Sequence, residues 1–81
     1  MITEIGEPVK VAAIFAPGKV KICWFSWKGR RIQVEKITFF WKTKEGEKTI
    51  HHFALSTGQE VFEISFCPEQ LSWLLEKVHL E

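Results

Sequence analysis

The sequence predicts a mainly β domain: a small, strongly bent antiparallel meander or half-barrel of five to six strands. Three observations carry this reading. Apolar and polar residues alternate with a period of two through several short runs rich in Val, Ile and Phe, as half-buried strands do. Turns bearing Gly or Pro separate the runs at intervals of about ten residues, the spacing of small all-β folds. The gaps are too short for the crossover helices that a parallel sheet requires.

Residues 1–7 read as a lead-in to a single domain spanning residues 1–81. Pro8 opens a strand to Ala16, in which Val9, Val11, Ala13 and Phe15 form one face. Ala16-Pro17-Gly18-Lys19 is a turn, with Pro fixing the first corner and Gly permitting a positive φ at the second. Val20 to Trp27 follows. Strict alternation sets Val20, Ile22, Trp24 and Ser26 against Lys21, Cys23, Phe25 and Trp27, so both faces carry bulk. Lys28-Gly29-Arg30 is a tight connection.

Arg31 to Lys42 is the longest strand candidate, and its phase slips. Ile32 and Val34 fall on even positions, while Ile37, Phe39 and Trp41 fall on odd ones. A slip of one residue near Glu35-Lys36 is what a β-bulge produces. Thr43 to Glu47 forms a polar hairpin loop. Lys48 to Ser56 sets Ile50, His52 and Ala54 against His51, Phe53 and Leu55. After a turn at Thr57-Gly58-Gln59, Glu60 to Phe66 places Phe62, Ile64 and Phe66 inward and Val61, Glu63 and Ser65 outward.

The tail supports two readings, a last strand or a short helix. Leu71, Leu74, Leu75 and Val78 follow helical spacing, and Pro68-Glu69 suits a first helical turn. Trp73 and Leu75 equally suit a strand after a turn at Pro68. Leu80 and Glu81 have the look of a tag remnant and are given no function.

Composition bounds the function. Eighty-one residues with four Trp and seven Phe can build one thin core, since such a chain buries only roughly 60% of its unfolded surface. The net charge of +1 conceals an asymmetry: residues 19–48 hold nine Lys/Arg and three Glu, 9 − 3 = +6, and the remainder holds two Lys and seven Glu, 2 − 7 = −5. Cys23 and Cys67 are the only cysteines, fewer than a disulfide-stapled secreted domain carries. No signal-peptide pattern or run of roughly 18 apolar residues occurs. The expected setting is cytoplasmic, away from membranes.

The W-x-G-R run Trp27-Lys28-Gly29-Arg30 is followed by Val34, Ile37 and Trp41. Further on come Gly58-Gln59-Glu60-Val61-Phe62-Glu63-Ile64, the Pro68 turn and Trp73. Over residues 9–78 this resembles a family of small β-rich bacterial domains of unknown function. The resemblance implies a final strand beginning at Trp73. It implies no activity and no catalytic residue, and Cys67 stands where that family often has an acidic residue.

One constellation has functional content: Trp24, Phe25, Trp27, Lys28, Arg30, Arg31, Phe39, Trp41 and Lys42. Exposed aromatics beside Lys and Arg are the ingredients of single-stranded nucleic-acid binding, because every base has a face to stack and every phosphate a charge to neutralise. The same rings are also what a small core needs. The residues assigned to a nucleic-acid or ligand face are Trp27, Lys28, Arg30, Arg31, Trp41 and Lys42, with Trp27 and Trp41 expected to be exposed. Arg30 and Arg31 would alternatively make structural cation–π contacts.

No catalytic or metal constellation is expected. His51 and His52 are adjacent, so a strand points them to opposite faces. Cys23 lies in an apolar run, where a thiol is an inert small hydrophobe. Neither GxGxxG nor GxxxxGK[ST] is present, so phosphate-loop chemistry has no support. The expectation is a non-enzymatic binding module without a cofactor, engaging single-stranded nucleic acid or another polyanion. A protein-interaction or homodimerisation module is the alternative.

Overall fold

Period-two alternation and frequent turns become strands throughout. The computed structural model describes residues 1–80, Leu80 by its backbone only. The strands are β1 (Ile2–Ala16), β2 (Lys19–Trp27), β3 (Arg30–Gln33), β4 (Lys36–Glu45), β5 (Lys48–Ser56), β6 (Glu60–Cys67) and β7 (Ser72–Leu80). They form one antiparallel sheet in the order β3-β2-β1-β7-β6-β5-β4.

This corrects several expectations and decides the open reading of the tail. The strands number seven rather than five or six. The run read as one long strand divides at Val34-Glu35, where Val34 N–H donates to Cys23 C=O (3.0 Å) and Glu35 N–H donates to Ser56 C=O (2.8 Å). The chain there changes partner, from β2 to β5. The lead-in is strand from Ile2, paired along β7. The tail is a strand, not a helix: its leucines are apolar enough for either, but β1 and β6 both offer it a backbone ladder. Leu80 is its last rung, opposite Glu60. Glu81, the other half of the suspected tag remnant, lies outside the described residues.

Turn chemistry fixes the registers. Trp27 pairs with Arg30 across the two-residue loop Lys28-Gly29, whose φ values of 52° and 73° have the signs of a type I′ turn. Gly46-Glu47 suffices to connect β4 and β5, since Glu45 pairs with Lys48. The polar loop expected over residues 43–47 is therefore mostly strand.

Bulges decide which side chains face inward. Ala12 pairs with Trp24 and Ala13 with Ile22, which leaves Cys23 as an extra residue in β2. Ile22 and Phe25 are then both buried, and Trp27 packs inward with them. Trp24 falls on the opposite face, so the strict alternation read through β2 fails at Cys23. A second extra residue, Thr38, lies between Ile37↔Leu55 and Phe39↔Ala54. Ile37 packs on the core, and Phe39 is returned to the outside. Gly6, with φ at 70°, sits in a third irregularity between Glu4↔Lys77 and Glu7↔Leu75. Each bulge bends its strand and sharpens the twist.

The sheet so bent wraps around Ile22, Phe25, Phe53, Leu55, Phe62, Ile64, Leu75 and Val78. Burial of each such side chain stabilises by roughly 1.5–3 kcal/mol. Phe25 and Phe62 meet edge to face at 5.1 Å and 73°, the arrangement that ring quadrupoles favour. The inward face expected of Glu60 to Phe66 is observed: Phe62 and Ile64 are buried, and Phe66 packs against them. The sheet does not close. Among the described residues β3 pairs only with β2 and β4 only with β5, so β4 and the first half of β2 flank an open seam.

Candidate functional site

The six residues assigned from sequence fall into three places. Trp27, Lys28 and Arg30 lie around the β2–β3 turn. Trp27 is half-buried: its ring meets Phe62 edge-on at 6.1 Å, and its indole N–H donates to Glu7 Oε2 at 3.3 Å. Lys28 Nζ sits 4.8 Å from the centre of that ring. Trp27 is thus a packed ring with its polar group used, not a displayed platform. Arg30 is exposed at the end of the sheet.

Arg31 and Trp41 share the outer face of the bent β3–β4 segment. Ile32 and Val34 pack on the core, so alternation turns Arg31 and Gln33 outward. The Arg31 guanidinium lies 4.0 Å from the Trp24 ring centre, the cation–π contact that the sequence left as an alternative. Beyond the bend, Phe39 and Trp41 stand on the same side with ring centroids 5.5 Å apart. Trp41 is half-buried because it lies flat on His52, at 5.2 Å and 7° between planes. His52 Nε2 is held 2.8 Å from Thr43 Oγ1. Phe39 is 65% exposed, and nothing covers its outer face. From Arg31 to Trp41 this row spans ten residues, at most about 33 Å of extended chain.

Lys42 goes elsewhere. It pairs with His51 and turns inward beside Phe40, into the seam. There Phe15, Val20, Ile37, Phe40, Phe53 and Phe66 line a cavity of about 680 Å³, with Lys19, Lys42 and His51 also on its wall. The His51 ring stacks on Phe40 at 5.9 Å and 27°. Burial, then the charges of Lys42 and His52, hold the His51 pKa below its usual value. Sequence reasoning missed Phe15, Phe40 and His51. For Phe40 the deciding feature is the bulge at Thr38, which puts Phe40 rather than Phe39 in phase with Phe53 and has no local signal in the sequence.

The remaining chemistry-bearing groups are dispersed. Cys23 and Cys67 are unpaired thiols. Among the described residues no cluster of three or more His, Cys or Glu is placed to hold a metal, and no helix is long and apolar enough to cross a membrane. Glu63 accepts from or pairs with His79 at 2.8 Å, and Ser65 Oγ donates to Glu76 at 2.7 Å. Both contacts tie β6 to β7. No protein-family model, curated protein or solved structure matches the chain.

Proposed function

We propose that this protein is a non-enzymatic binding module that engages single-stranded nucleic acid along the outer face of β3 and β4. The observation that carries this reading is the Phe39–Trp41 pair: two neighbouring rings on one face of an edge strand, one of them 65% exposed. Successive bases stack on such rings at about 1–3 kcal/mol each, with little regard to sequence. Arg31, laid on Trp24 and turned outward on β3, supplies a phosphate contact, and the +6 charge of residues 19–48 supplies the surrounding field. Trp27 and Lys28 leave the contact set and act as its support. Binding of a fluorescent oligonucleotide tests this. Phe39→Ala should weaken it about tenfold. Arg31→Ala should reduce the salt slope by about 0.7. Unchanged binding in both variants refutes the reading.

A second reading has its own observation. Phe39 and Phe40 are 65% and 45% exposed on a strand whose second edge has no ladder partner. A long apolar edge is a template for pairing, and two copies joined through β4 would form a homodimer. Analytical ultracentrifugation separates the two readings: a monomer at high concentration excludes the dimer, and a Phe39→Lys variant that dissociates one supports it.

A further inference from the structure

The seam carries a second site, independent of the outer face. β4 displays Phe39 and Trp41 outward, and Phe40 and Lys42 inward. The inward pair belongs to the cavity of about 680 Å³. Small-molecule sites commonly enclose about 300–1,000 Å³, lined mostly by apolar and aromatic groups with few polar ones. Here four phenylalanines, Phe15, Phe40, Phe53 and Phe66, form most of the wall, with Val20 and Ile37. Phe15 (62% exposed) and Phe40 (45% exposed) are left facing solvent at its mouth.

The polar lining is one-signed. Lys19 comes from the start of β2 and Lys42 from the far side on β4, with His51 beside Phe40. Among the described residues no glutamate lines the cavity, although glutamate supplies every acidic residue of the chain. Lys42 follows Phe40 on the inward face of β4, whereas Lys19 sits at the rim, where alternation with the core-packed Val20 turns its side chain toward the outer face of β2. A ligand that matches this wall has an apolar body and one anionic head.

We infer that the seam between β2 and β4 binds a small soluble amphiphile, a medium-chain or aryl carboxylate, with its body against the phenylalanines and its carboxylate at Lys42, beside His51. The site uses the unclosed part of the sheet: a complete ladder between β2 and β4 would leave no entrance. A polyanion fits poorly, because the floor offers its further charges only apolar contact. The carboxylate is recognised by charge-assisted hydrogen bonds, which are roughly twice as strong as neutral ones.

The test is an amide NMR titration of the labelled protein with sodium decanoate below its micelle concentration, with 1-decanol as the uncharged control. Saturable shifts are expected at Phe15, Val20, Phe40, His51 and Phe53. Decanol should bind about tenfold more weakly. A Lys42→Gln variant, changed only at an exposed position, should lose about tenfold in decanoate affinity and none in decanol affinity. The proposal is overturned if decanoate gives no saturable shifts, if its shifts map to Phe39 and Trp41 instead, or if the lysine variant binds it unchanged. Saturable binding of an extended Glu/Leu-alternating peptide without a decanoate response would assign the seam to an added strand, and also overturns it. Loss of oligonucleotide binding alone leaves this result unaffected, because the two probes report on opposite faces of β4.

Discussion

Trp41 lies flat on His52, with centroids 5.2 Å apart and planes 7° from parallel, while the next residue in each strand, Lys42 or its partner His51, faces the cavity. One rung of the β4–β5 ladder therefore belongs to the outer aromatic row, and the adjacent rung to the seam. This division follows from Thr38, the extra residue that fixes the phase of β4 beyond Ile37. Two surfaces of different chemistry are built on one strand pair.

The outer row should be separable from stability. Phe39 is mostly exposed, so Phe39→Ala should change unfolding free energy by no more than about 0.5 kcal/mol. Trp27→Ala removes a ring packed on Phe62 and the indole bond to Glu7, and should cost about 3 kcal/mol. Urea unfolding at constant m reads both values. Equal losses would contradict the placement of these two rings.

Leu71 offers a stabilising change. It is 80% exposed and holds φ at 51°, a left-handed conformation that costs a branched aliphatic residue about 1 kcal/mol or more. Leu71→Gly should raise stability by about 0.5–1 kcal/mol, net of the extra freedom of Gly in the unfolded chain. A lower urea midpoint would show that the β6–β7 turn gains from the leucine side chain.

His51 sets an acid dependence. Its folded pKa lies below the unfolded value of 6.5 through burial, then Lys42 and His52. The unfolded chain therefore binds the extra proton first, and stability rises with pH across the interval between the two values. The favourable state is fully present above about pH 6.5 and is lost as pH falls through the folded pKa. Melting temperatures from pH 8 to 5 should fall less steeply for His51→Gln than for the unaltered chain. Parallel curves would refute the assignment, whatever the glutamates and the other histidines contribute, because those groups are common to both proteins.

Much of the fold was legible because local chemistry agreed with it. Phe62, Ile64 and Phe66 alternate without interruption, and their inward face is observed as read, although Ser65, read as outward, is buried against Glu76 of β7. Gly29 suits the positive φ that a two-residue hairpin needs, and Lys28 holds the other such angle without being a glycine. The slip between Val34 and Ile37, read as a bulge within one strand, marks instead the place where the chain changes partner, and the bulge lies at Thr38. The tail was not legible, because Leu71, Leu74, Leu75 and Val78 satisfy both periods, and only the ladders of β1 and β6 decide between them. The site was less legible than the fold. Cys23 and Thr38 are bulge residues with nothing local to announce them, and each reverses every side chain beyond it. Trp24, Trp27, Phe39 and Phe40 were consequently assigned to faces that alternation alone could not fix.

The central claim is that the outer row of β3 and β4 takes a single strand of nucleic acid. The most direct measurement is the amide NMR spectrum of the labelled protein as short single-stranded DNA and RNA are added, first at low salt and then at high salt. Shifts are expected to concentrate on Trp24, Arg31, Phe39, Trp41 and His52 and to diminish as salt rises, because phosphate contacts release counterions. An unchanged spectrum at near-millimolar oligonucleotide, or shifts scattered over the lysines regardless of these rings, would contradict it.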